Sequence, residues 1–123
     1  MKYRYLASAI LGLILFAIYI WRFLPYSERM RPEHAVSWWP FLAVLFIAGL
    51  ALTLGVARGR FRVCNCLLLT MFAANIVLIV IDCIPDRTNH NLMPFEFLFI
   101  AVLTLPMYLG AALAAGIGRL RGR

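Results

Sequence analysis

The chain has 123 residues, 64% of them hydrophobic and only 14% charged, with a formal net charge of +7. Soluble domains carry about 25% charged residues and keep roughly a third of their surface wet, so this composition excludes a soluble enzyme domain, a disordered chain and a disulfide-knotted secreted module. The apolar residues fall into four blocks of about 18 to 23, each long enough to cross a bilayer core of about 30 Å. The expected fold is all-α: a single transmembrane domain over 1–123, an integral membrane four-helix bundle built from two antiparallel hairpins.

The first block, 5–24, follows Met1-Lys2-Tyr3-Arg4 and is too long for the apolar region of a signal peptide. It ends at the bulky interfacial run Trp21-Arg22-Phe23-Leu24-Pro25 and is expected to be an uncleaved first transmembrane helix. The loop from Pro25 to Ser37 has nearly cancelling charges, and its prolines predict an extended or turning path. The second block, 40–57, is entered through Trp38 and Trp39, whose amphipathic rings suit the headgroup level, with Pro40 in its first turn. Arg58-Gly59-Arg60-Phe61-Arg62 then forms a link short enough to demand a hairpin with the third block, 63–84. Pro85 stops that block. The polar connector Asp86-Arg87-Thr88-Asn89-His90-Asn91 leads to the fourth block, 95–117, which has Pro94 at its start. Pro106 lies midway along this last block and removes a hydrogen bond to Val102, so a kink is expected near Thr104.

Charge counting orients the blocks. The N-terminus, the second connector and the C-terminus carry Lys2, Arg4, Arg58, Arg60, Arg62, Arg119, Arg121 and Arg123 and no acid. The other side carries Arg22, Arg29, Arg31 and Arg87 with Glu28, Glu33, Asp82, Asp86 and Glu96. Basic residues beside short loops hold their side in the cytoplasm. Both termini are therefore expected to be cytoplasmic, in a bacterial inner membrane, with all acids and both histidines outside. The arginines flank apolar runs, so their expected roles are orientation and contact with anionic headgroups; no nucleic-acid partner is implied.

Lipid offers no hydrophobic drive for helix association, so close approach relies on small residues. Ser8-x3-Gly12, Ala51-x3-Gly55 continuing to Gly59, and Gly110-x3-Ala114-x3-Gly118 predict tight packing toward the termini, with the helices splaying at the opposite end. Asn75, near the middle of the third block, must face the bundle or a partner to satisfy its amide. Asp82, one heptad later, shares that face.

The chemistry-bearing residues cluster in Asp82, Asp86, Arg87, His90 and Glu96. Asp82 lies in the last turn of a helix, where the macrodipole disfavours an anion, so a cation is required nearby, with Arg87, His90 and Arg22 as candidates. Glu96 lies in a first turn, where an anion is favoured. This segment fits a solvated connector, a docking surface shared with the loop 25–37, or a metal or catalytic site on Asp82, Asp86, His90 and Glu96. Too few His or Cys ligands accompany it for a closed transition-metal site, and no base-and-substrate constellation is visible; no cofactor is expected. His34 and His90 are in a range to titrate at a mildly acid exterior. Cys64 and Cys66 point to different helix faces, and Cys83 lies too far from both to pair with them.

The resulting expectation is a non-enzymatic accessory, protective or regulatory membrane protein acting through the loops 25–37 and 85–94. Its partners would be the bilayer and another membrane protein or a second copy. Two alternatives are an oligomeric channel or transporter with a polar path past Asn75 and Asp82, and a membrane enzyme acting on a lipid-linked substrate at the outer surface.

Overall fold

Long apolar stretches without internal breakers make helices, and the breakers decide where those helices end. The computed structural model describes residues 2–29, 31–85, 87 and 93–122; the side chains of His34 and Met93 are not among those described. Every regular element among these residues is helical. Helix α1 spans Lys2–Leu15 and continues as a π-helical segment, Phe16–Trp21. A short α2 (Tyr26–Arg29) and a 3₁₀ turn (Pro32–His34) follow. Then come α3 (Trp39–Thr53), α4 (Arg60–Cys83), α5 (Met93–Leu103) and α6 (Leu105–Arg121).

Three helices are long and apolar enough to cross a membrane: Lys2–Trp21, Arg60–Cys83 and the α5–α6 rod Pro94–Arg121. Their outer faces are apolar, with Leu6, Ile10, Leu69, Ile76, Val80, Leu98, Val102 and Leu109 all exposed. In water such a surface would drive aggregation; in lipid it is the required coat. These features make the chain a membrane protein.

The second block departs from the expected 40–57. Helix α3 stops at Thr53, whose hydroxyl donates back to the Gly49 carbonyl at 2.6 Å. Leu54 turns extended (ψ 130°) and Gly55 adopts φ +79°. The orphaned carbonyls are met by Arg4, whose guanidinium donates to Leu52 O at 2.8 Å and Leu54 O at 3.0 Å. At 15 residues α3 rises about 22 Å, less than the hydrocarbon thickness. The kink is where the sequence puts it: α5 ends at Leu103, α6 restarts at Leu105, and Pro106 occupies the first turn of α6. The Thr104 amide still bonds Ile100 O at 3.1 Å.

The closest packing is between α1 and α4 and between α3 and α6, rather than between helices adjacent in the chain. Both pairs run parallel: Ser8 meets Val63 while Trp21 and Ile81 wall one groove, and Trp38 meets Phe99 while Ala57 and Gly118 share a recess. The expected antiparallel hairpins are thus not the tight pairs. Small residues explain the choice. Ser8 and Gly12 are buried on α4; Ser8 Oγ donates to Val63 O at 2.6 Å, and a Cβ at Gly12 would stand 3.2 Å from Leu67 O. At the other pair, a Cβ at Gly49 would sit 2.8 Å from the carbonyl carbon of Met107, and one at Gly110 2.8 Å from the amide nitrogen of Leu50. Neither fits without separating the helices.

Two of the expected small-residue pairings therefore hold, through Ser8–Gly12 and Gly110–Ala114. Ala51 instead faces outward, Gly55 and Gly118 border an open recess at the surface rather than a helix contact, and Gly59 (φ +77°) caps the start of α4. The small residue that matters on α3 is Gly49.

Candidate functional site

Asn75 and Asp82 are one heptad apart on α4, about 10 Å along the axis, and both face inward, as their spacing predicts. Their partners differ from the expectation. The cation that meets Asp82 is Arg29, from the loop 25–37, rather than Arg87, His90 or Arg22. The guanidinium Nη2 donates to Asp82 Oδ2, with the Arg29 side chain 3% exposed and that of Asp82 6%. Burial this deep makes the pair interdependent, because removing either partner strands the other charge in a low-dielectric site.

Local backbone geometry brings Arg29 there. The π-helical end of α1 closes with the Arg22 amide bonded to Ala17 O at 2.8 Å, five residues back. Arg22 (φ 57°) and Phe23 (φ 55°) then both take left-handed conformations, unusual for residues with a Cβ. Such backbone costs roughly 1–3 kcal/mol per residue and persists only where surrounding contacts enforce it. Here the reversal folds α2 back over the end of α4. Arg22 Nη2 donates to the Arg29 carbonyl at 2.9 Å, and the Arg29 guanidinium lies over the Tyr26 ring at 5.6 Å. Of the extended or turning path expected for the loop 25–37, the described residues take the turning one, with two short helical turns. On its exposed side Arg31 pairs with Glu28 (3.5 Å) and Glu33 (3.6 Å).

Beneath this tuck lies a cavity of about 200 Å³. Its wall includes Tyr19 and Ile20 from the π segment, Arg22, Arg29, Trp38, and Phe99 with Glu96 from α5. Trp38 organises the aromatic side, meeting Tyr19 at 6.0 Å, Phe41 at 5.3 Å and Phe99 at 5.6 Å between centroids. Asn75 also lines the cavity; it is 3% exposed, and its Nδ2 meets no acceptor among the described residues. The interhelical hydrogen bond expected of Asn75 is thus not made by that nitrogen. At about 30 Å³ per water, the space holds roughly six waters or one headgroup-sized polar moiety. Toward the termini the bundle closes at the Gly49–Met107 and Gly110–Phe46 contacts.

Of the remaining candidates, Glu96 stands in the first turn of α5, as expected, and lines the cavity. Arg87 is exposed. Asp86 and His90 lie outside the described residues, so the proposed convergence on His90 does too. Among the described residues no group of three or more His, Cys, Asp or Glu side chains is arranged to hold a metal. Cys64 points toward Met107 O (3.8 Å) and Cys66 toward Tyr5 O (3.5 Å), on different faces as expected, and among the described residues neither these nor Cys83 forms a disulfide.

Arg29, Tyr19, Trp38 and Phe99 were not singled out for this site by the sequence. Nothing local marks Arg29, which lies 53 residues from Asp82. Gly49 does carry a signal, since Gly49-x3-Thr53 has the same small-residue spacing as Ser8-x3-Gly12. No protein-family model, no curated protein and no solved structure matches this chain.

Proposed function

We propose that this is a four-span protein of the bacterial inner membrane, with both termini cytoplasmic, that acts by binding rather than catalysis. In this reading it is an accessory, protective or regulatory protein for another membrane component. The segregation of eight basic residues and no acid to one side supports the orientation. The short α3 rises about 22 Å and is closed by a turn in which the Val56 amide donates to Thr53 O at 3.1 Å; in this reading the bilayer thins locally to meet it. Non-helical backbone at that depth needs internal partners, and Arg4 supplies them.

The observation that carries the binding role is the unsatisfied Asn75 amide in the cavity. A buried donor without an acceptor costs about 1–3 kcal/mol. A partner group presenting an acceptor, flanked by the Trp38 and Phe99 rings, recovers that loss. The cations and anions around the cavity nearly balance, so the group received is polar rather than strongly charged.

The test uses a diazirine photocrosslinker at Ile20, on the cavity wall, and at Leu69, on the lipid-facing surface. The expected result is a discrete adduct from position 20 that Asn75→Leu abolishes, and only phospholipid from position 69. Phospholipid alone from both positions refutes the binding role.

A channel or transporter is the second reading, favoured by the reach of the cavity to Asn75. Against it, Asp82 is engaged by Arg29 and the helices close toward the termini. Ion or solute flux in proteoliposomes that Asn75→Leu blocks decides for this reading.

A further inference from the structure

The opposite end of the molecule holds a second recess, of about 430 Å³, with a different chemistry. Its wall is formed by Gly55, Val56 and Ala57 after α3, Arg60 at the start of α4, and Gly118 and Arg119 near the end of α6. We propose that this recess binds a phosphate group, presented by an anionic phospholipid or by a soluble phosphate compound.

Three observations support the assignment. The first is charge. The segments meeting at this end contribute eight basic residues and none of the five acids of the chain, so no carboxylate from them neutralises Arg60 or Arg119. This leaves the recess with a net positive charge that favours an anion. The second is orientation of the donor. Arg60 Nη2 donates to the Val56 carbonyl, which fixes the guanidinium across the mouth of the α3–α4 connection. Its Nε is buried and meets no acceptor among the described residues. A guanidinium held in place at one nitrogen on the recess wall presents a fixed planar cation to an oxyanion.

The third observation is space. The small residues Gly55, Ala57 and Gly118 on its wall leave the recess open at the surface. Arg4 also lies at this end but is engaged by Leu52 and Leu54, so it does not compete for the anion. Basic pockets between membrane helices at the cytoplasmic surface hold lipid phosphates by this combination of charge and room. The site is remote from the Asn75 cavity and stands independently of the function proposed for it.

The test uses the intact protein in a neutral detergent, where no charged bilayer surface contributes. Binding of phosphatidylglycerol, phosphatidylcholine and inorganic phosphate is followed by native mass spectrometry. Phosphatidylglycerol or inorganic phosphate is expected to bind while phosphatidylcholine does not, and which of the two binds identifies the source. Arg60→Gln with Arg119→Gln is expected to weaken binding about a hundredfold, roughly tenfold per charged hydrogen bond lost. The double change Arg58→Gln and Arg121→Gln alters net charge equally but lies outside the recess. It is expected to shift affinity by no more than about threefold, because both side chains are exposed, lie off the recess wall and act on the anion only through water and salt. Gly118→Leu keeps every charge and adds bulk on the recess wall; it is expected to weaken binding by about tenfold or more in a protein that still folds, because no atom lies within 4 Å of the added Cβ. Equal losses in the two arginine doubles, unchanged binding in Gly118→Leu, or no preference over phosphatidylcholine each overturn the proposal.

Discussion

Replacing Asp82 by Asn keeps the side-chain shape and removes its charge, leaving the Arg29 guanidinium buried without a counter-ion. Two routes give the size of the effect. At an effective dielectric of about 20 and about 4 Å between charge centres, the Coulomb attraction is about 4 kcal/mol. Breaking a buried pair by removing one partner costs about 3–5 kcal/mol. The side chains are 3% and 6% exposed, so the discount for solvent screening that applies to surface pairs is small here. Asp82→Asn is therefore expected to lower stability by about 3–5 kcal/mol in an SDS titration from mixed micelles, followed by tryptophan fluorescence. The double replacement Arg29→Met and Asp82→Leu exchanges the pair for packed apolar groups and is expected to recover most of that loss. The coupling from the full double-mutant cycle should exceed about 2 kcal/mol, since surface pairs give only about 0.2–1 kcal/mol. A coupling below 1 kcal/mol, or a double variant as unstable as the single ones, would show that Arg29 does not hold the loop onto α4.

Other substitutions probe different contacts. Gly49→Ala and Gly110→Ala should each lose about 1–3 kcal/mol by forcing α3 and α6 apart, whereas Gly116→Ala, which meets open space, should be neutral or gain up to about 1 kcal/mol in the same titration. Asn75→Leu should raise stability by about 1–3 kcal/mol through loss of the unsatisfied amide, while abolishing the crosslink from position 20; a stability loss would mean that the amide has a partner in the folded protein. Alkaline phosphatase fused after Arg123 should be inactive and after Arg87 active; the reverse pattern would overturn the assigned orientation. Ser8→Ala should cost about 0.6 kcal/mol, the mean for interhelical hydrogen bonds in membranes.

Much of the helical framework follows from the residues alone. Apolar runs, prolines and terminal arginines are local signals, and a helix reads them within a turn or two. The three long spans, the break at Thr104 ahead of Pro106, the inward face shared by Asn75 and Asp82, and the divergence of Cys64 and Cys66 are all of this kind. The charge segregation is equally legible, because it depends only on the order of charges and helices.

The tertiary structure decided which helices pair and which cation meets Asp82. Parallel pairing of α1 with α4 and of α3 with α6 depends on backbone approach at Gly12, Gly49 and Gly110 against surfaces distant in sequence. The Arg29–Asp82 pair depends on a π segment and two left-handed residues that reverse the chain, conformations with no local preference in Tyr19-Ile20-Trp21-Arg22-Phe23. Strained backbone of this kind exists only when remote contacts outweigh it. The Asn75 cavity is the space left where that reversal and the aromatic side chains meet, so it is a property of the assembled helices and of no single segment.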